Sequence, residues 1–164
     1  DKVAEEIGVF YPLQTFSKDK EVDFSQIPFF IEANTTSLTD FLVKIASRLS
    51  NEVYEMNSEE RKRLHLAAVF ACNFTNHLLT IAHQELMKLK VPFEVLHPLI
   101  VATINKALEI TPFAAQTGPA IRRDQNTMSI HLQLLEERPL VQQIYRLLSE
   151  NIQETYSFSF GKSE

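Results

Sequence analysis

From Ser58 onward the chain meets no proline and no glycine until Pro92. Helix formation is cooperative once nucleated, so an unbroken run of this kind propagates into one helix of roughly thirty residues, well beyond the usual three or four turns. The start of the run is equipped for it. Ser58 offers an oxygen to cap the first amides, and Glu59 and Glu60 place carboxylates in the electropositive first turn. An element this long sets the scale of whatever packs around it.

The chain from Pro92 on also reads as helix. Pro92 can open a helix at its first turn, with Phe93, Leu96, Ile100, Ile104 and Leu108 as the apolar stripe. Pro98 falls inside that stripe and predicts a kink or a late start. Thr111 to Arg123 reads as a loop around Gly118-Pro119. Asp124 then caps a segment with Met128, Leu132 and Leu135 on one face. Pro139 opens a last helix along Leu140, Ile144, Leu147, Leu148 and Ile152, and Ser157 to Glu164 reads as a frayed tail.

The first third has a different grammar. Ile7 to Tyr11 and Ile27 to Ala33 are apolar runs of strand length, which puts Pro28 at a strand start or edge. The polar stretch Pro12 to Gln26 between them reads as a surface loop. Asn34-Thr35-Thr36-Ser37 offers caps for a helix through Leu38, Phe41, Leu42, Ile45, Ala46 and Leu49. Asn51 to Met56 returns to strand. Strand, helix and strand with short links predict a parallel sheet.

Composition removes several classes of function. The 164 residues carry a net charge of -5, with a mixed rather than basic surface, which argues against a nucleic-acid binder. Cys72 is the only cysteine, so neither an intrachain disulfide nor a thiolate metal cluster is available. The first residues lack the pattern of a signal peptide. Asn73, Thr75, Asn76 and His77 interrupt the most apolar stretch, Leu64 to Ala82, in a way a membrane span tolerates poorly. The reading is a soluble cytoplasmic protein. The missing initiator Met and the mid-pattern opening suggest a fragment.

That polar interruption is the first candidate site. At 100° per residue His65, Cys72, Asn76 and His83 fall nearly on one line, with Asn73, His77, Thr80 and Gln84 beside it. Neutral donors and acceptors of this kind suit a carbonyl or imine substrate in a cleft. Equally, they could bond neighbouring backbone or face solvent. The five histidines form no HExxH pair and have no carboxylate at ligand spacing, so no metal site is expected. The second candidate is Thr117 to Asp124. There Gly118 could let backbone amides approach a ligand, and Arg122 or Arg123 could hold an anion; an ordinary loop with solvated arginines is the alternative. No P-loop, GxGxxG or Ser/His/Asp arrangement is present.

Three segments carry a resemblance: Tyr11-Pro12-Leu13-Gln14-Thr15-Phe16, His65 to His77, and Ala115 to Asp124. In that order they resemble an uncharacterised oxidoreductase family that pairs a Rossmann-like domain with a C-terminal helical domain of unknown function, often labelled deazaflavin-dependent NADP oxidoreductase. More distantly the chain is similar to pyrroline-carboxylate reductase and prephenate dehydrogenase. The resemblance implies a mainly α fold: a helical bundle with one long central helix, like the 6-phosphogluconate dehydrogenase C-terminal domain, preceded by a small α/β remnant of a Rossmann-like sheet. Residues 1–57 would be the end of the nucleotide-binding domain. Residues 58–164 would be an all-helical substrate and dimerisation domain.

The expectation is then a portion of an NAD(P)-dependent oxidoreductase for a small carbonyl, imine or hydroxy compound, acting as a homodimer with NADP or NAD, or with a deazaflavin. His77 would exchange the proton, Asn73 and Asn76 would orient the substrate, and Arg122 with Thr117 and Gly118 would hold its anionic group. The competing expectation is a non-catalytic helical module for dimerisation or ligand sensing. A glycine fingerprint for the pyrophosphate is missing from the sequence.

Overall fold

The computed structural model describes residues 5–16, 18 and 21–157. Two compact units divide the chain between His77 and Leu78.

In the first unit β1 (Gly8–Pro12), β2 (Phe29–Ala33) and β3 (Val53–Glu55) form a sheet in the order β1-β2-β3. The β2-α1-β3 crossover, with α1 at Thr36–Ala46, gives a parallel pair, but β1 runs antiparallel to β2, so the sheet is mixed rather than parallel throughout as expected. Pro28 stands just before β2, where its missing N–H costs no ladder bond, and its carbonyl accepts from the Leu13 N–H at 2.9 Å. Thr35 caps α1 by accepting from the Leu38 N–H at 3.3 Å.

Ile27, Phe29, Ile31 and Ala46 are buried as the core, and Phe10, Leu42, Val43 and Val53 pack onto it. Gly8 permits a close approach of β1 to α1. A Cβ there would stand 2.7 Å from Leu42 Cδ1.

The long helix is Ser58–Leu89, 32 residues, and by length and composition it could cross a membrane. Its cap is Asn57 rather than the expected Ser58. Asn57 Oδ1 accepts from the Glu59 and Glu60 N–H groups at 3.0 Å, and Glu60 returns a bond to the Asn57 N–H at 3.0 Å. This reciprocal box satisfies the first amides and frees Ser58 for Glu32 on β2. The helix is also not uniform. After α2 (Ser58–Ala68) the segment Val69–Phe74 is π-helical, and α3 (Thr75–Leu89) resumes the α form. The Thr75 hydroxyl donates to the Phe70 carbonyl, five residues back, at 3.2 Å.

The second unit is helical. Pro92 leads into a 3-10 turn, Phe93–Leu96, and α4 (His97–Ile110) begins with Pro98 in its first turn. The proline therefore causes the late start, not a kink. The expected loop contains a short helix, α5 (Pro112–Ala115), introduced by Thr111 at φ 88°. Asp124 caps α6 (Gln125–Leu134), and α7 (Pro139–Ser157) follows. A hydrogen bond of 2.8 Å between His131 Nδ1 and the Tyr145 hydroxyl ties α6 to α7. The expected tail keeps Ser157 in α7, and its remainder, 158–164, lies outside the described residues. The whole is mainly α with one long helix and a small α/β part, as the sequence implies.

Candidate functional site

In the first unit a cavity of about 580 Å³ opens between the end of β1 and the long helix. From the β1 side come Tyr11, Leu13, Gln14 and Thr15; from the helix come Leu64, His65 and, in the π-helical turn, Cys72 and Asn73. The backbone is directed there by Pro12, which ends β1, and by the Leu13 to Pro28 bond. Ala67, Ala68 and Ala71 leave the space open on the helix face. A π turn takes more residues than an α turn, so consecutive side chains can share one face. Such turns are frequent at functional sites.

One side-chain hydrogen bond links the two walls: the Tyr11 hydroxyl and His65 Nδ1 are 3.3 Å apart. Gln14 Oε1 accepts from the Thr15 N–H at 2.7 Å. The Asn73 carboxamide makes no hydrogen bond to another described residue. Among the described residues no carboxylate, lysine or arginine lines the cavity. The arrangement offers neutral hydrogen-bonding groups, one imidazole and a thiol against an otherwise apolar wall. That equipment can orient a small polar group and can hold one proton.

Of the residues singled out by the sequence, Asn73 lies here. Asn76 and His77 are on α3, beyond the π turn, and do not line this cavity, although Asn76 interacts with another residue. A uniform 100° step across Val69–Phe74 mis-phases everything after it. Thr117, Gly118 and Arg122 belong to the second unit. Thr117 and Arg122 are exposed, and Gly118 adopts φ 111°, a conformation that only glycine takes readily. Asp124 accepts from the Thr127 N–H at 3.1 Å and its hydroxyl at 2.7 Å; those bonds, with a smaller pull from Arg122, hold its carboxyl below the usual value.

Tyr11 and His65 both fall within the segments that carry the resemblance, but nothing in their spacing connects residues 54 positions apart. The described residues include no group of three His, Cys, Asp or Glu able to hold a metal. They also lack a glycine turn leading into a helix N-terminus, the cradle a dinucleotide pyrophosphate needs. The turns into α1 and the long helix are capped by Thr35 and Asn57. These residues do not fit a nicotinamide dinucleotide's pyrophosphate.

A second cavity, about 480 Å³, lies within the helical unit. Leu78, Ile81, Leu135, Ile144 and Leu148 make it almost wholly apolar, with the His131–Tyr145 pair in its wall.

A family described as "Domain of unknown function (DUF2520)" matches residues 27–152. Among solved structures the chain is similar to a Bacteroides fragilis protein provisionally named an NADP oxidoreductase: identity is 56%, the TM-score is 0.86, and the match covers 91% of this chain and 57% of that one. A Thermotoga maritima protein shares the fold at 24% identity and a TM-score of 0.69, over 90% of this chain and 62% of that one. The chain thus spans less than two thirds of either structure. No curated protein matches it.

Proposed function

The chain belongs to the family described as Domain of unknown function (DUF2520), and from that membership we propose that it is the substrate-side portion of an NAD(P)-dependent oxidoreductase acting on a small carbonyl, imine or hydroxy compound. The observation that carries the reading is the Asn73 carboxamide, hydrogen-bonded to no other described residue, in a cavity that no charged side chain among the described residues lines, beside a hydrogen-bonded imidazole. The provisional name of the Bacteroides fragilis protein supports the reaction class. A distant kinship with pyrroline-carboxylate reductase and prephenate dehydrogenase belongs to the same proposal.

Asn73 orients the substrate. Asn76, His77 and, in the second unit, Thr117, Gly118 and Arg122 are proposed as site residues through the motifs alone. The cofactor is NADP or NAD, or a deazaflavin. Its pyrophosphate site lies in sequence beyond these residues, with 1–57 closing the nucleotide-binding domain and 58–164 forming the helical one. NADPH titration by calorimetry tests this. The longer protein that contains this chain binds NADPH in the micromolar range, whereas residues 1–164 alone bind it weakly or not at all. Absence of nucleotide binding by the longer protein would overturn the proposal.

A second reading, a dimerisation or sensing module without turnover, is favoured by one observation. Large apolar side chains lie exposed along successive turns of α4, and others on α7. In both readings the helical faces are covered by a second copy of the chain, in the cytoplasm.

A further inference from the structure

His65, to which the sequence motifs assign no role, stands in the first-unit cavity with its Nδ1 bonded to Tyr11 at 3.3 Å. We propose that His65, positioned by Tyr11, is the proton-holding group of this cavity, and that the cavity takes a small uncharged molecule with one carbonyl or amide end and a short apolar body. The inference rests on the proposed function only in treating the cavity as a substrate site.

The chemistry of the pair supports this role. A tyrosine hydroxyl can donate to a neutral imidazole nitrogen or accept from a protonated one simply by rotating. Tyr11 therefore keeps its bond to Nδ1 in both charge states of His65 and leaves Nε2 as the nitrogen free for a ligand. A proton can then reside at Nε2 or leave it without loss of the ring's orientation.

The lining decides the ligand class. The titratable groups that line the cavity with His65 are Tyr11 from the β1 wall and Cys72 from the π turn; no carboxylate, lysine or arginine among the described residues joins them. Arg61, one turn earlier on the helix, is paired with Glu32. Among the described residues nothing in the wall offers a ligand a fixed countercharge, so an anion gains no ion pair there. An uncharged carbonyl or amide instead meets donors and acceptors in the Asn73 carboxamide and at Nε2, while Leu13, Leu64 and Ala68 cover the apolar body.

Isobutyramide and isobutyrate share a shape and differ in charge, which makes them suitable probes. Isotope-edited NMR of the protein follows the Asn73 side-chain amide and the His65 ring during titration with each. At about pH 8 isobutyramide shifts both sets of signals saturably and isobutyrate does not. In His65→Gln, isobutyramide no longer shifts the Asn73 amide. Tyr11→Phe weakens isobutyramide binding by about five- to tenfold, the loss expected for one hydrogen bond, and alters the ring-nitrogen shifts that report the His65 tautomer.

Equal binding of the two probes at about pH 8, or shifts that avoid Asn73 and His65, overturns the inference. So does a Tyr11→Phe variant identical to the parent in both readouts. Nucleotide binding by the longer protein is read separately. If it fails while the probes behave as stated, the oxidoreductase reading falls and the cavity assignment stands.

Discussion

Ser58 donates both its backbone N–H and its hydroxyl to the Glu32 carboxylate, at 3.0 Å each, joining the first turn of the long helix to the middle strand of the sheet. Arg61 adds an ion pair to the same carboxylate from one turn further on. The Arg61 bond first, then the Ser58 bonds, hold the Glu32 carboxyl below its ordinary value of 4.5. A carboxyl lowered on folding contributes stability that is fully present above the unfolded value and lost as the pH falls through the folded one. Glu32→Gln therefore lowers the thermal midpoint near neutrality, and the gap to the parent closes as the pH drops below about 4.5. Melting curves at about pH 7 and about pH 3 check this. A gap of equal size at both would show that the ionised carboxylate is not the source.

The sheet has a small core, so single truncations there are expensive. Phe29 is 1% exposed, with the Phe10 ring centroid 4.9 Å away and that of Phe24 at 6.3 Å. Phe29→Ala removes a ring its neighbours cannot replace and costs about 3–5 kcal/mol in urea unfolding; Ile31→Val, deleting one methylene, costs about 0.5–1.5 kcal/mol. If the two variants cost the same, Phe29 is not the centre of that core.

The elements that proved legible were those set by local rules. Pro92, Pro98 and Pro139 placed helix starts, Asp124 and Thr35 placed caps, and the strand–helix–strand rhythm placed the parallel pair. Asn57 displaced Ser58 as a cap because Glu32, distant in sequence, competes for the serine. The π turn at Val69–Phe74 was invisible to a fixed helical period, and with it went the phase of His77. Asn73 reached the cavity, whereas the Tyr11–His65 bond needed the antiparallel β1, whose pairing no local pattern announced.

The polar row gives a prediction that separates structural from functional residues. Asn73 and His77 are both exposed, so alanine at either position changes stability by less than about 1 kcal/mol. Their effects on ligand differ. Asn73→Ala abolishes the isobutyramide shifts at the His65 ring, because the carboxamide lines the cavity. His77→Ala leaves them in place. A stability loss of roughly 1–3 kcal/mol on Asn73→Ala would instead mark it as part of a structural hydrogen-bond network.

Several large apolar side chains of the helical unit lie exposed. Leu108 is 80% exposed on α4, one turn after exposed Ile104, and Leu140 is 74% exposed on α7, two turns before exposed Leu147. Scattered leucines mean little, but exposed apolar side chains repeated along one helix, as on α4, are of the kind that marks an interface. The proposed homodimer would cover such side chains with a second copy in a two-fold arrangement that meets the same residues on each side. The membrane is the competing solvent, since Ser58–Leu89 is long and apolar enough to enter it. Against that, Asn73, Asn76 and His77 sit at mid-helix, where each polar group in hydrocarbon is costly. The expected outcome of light scattering without detergent is a dimer of constant mass, and Leu108→Glu combined with Leu140→Glu shifts it to a folded monomer by circular dichroism. A parent protein that is monomeric across the accessible concentration range, or that stays in solution only with detergent, would falsify the dimer.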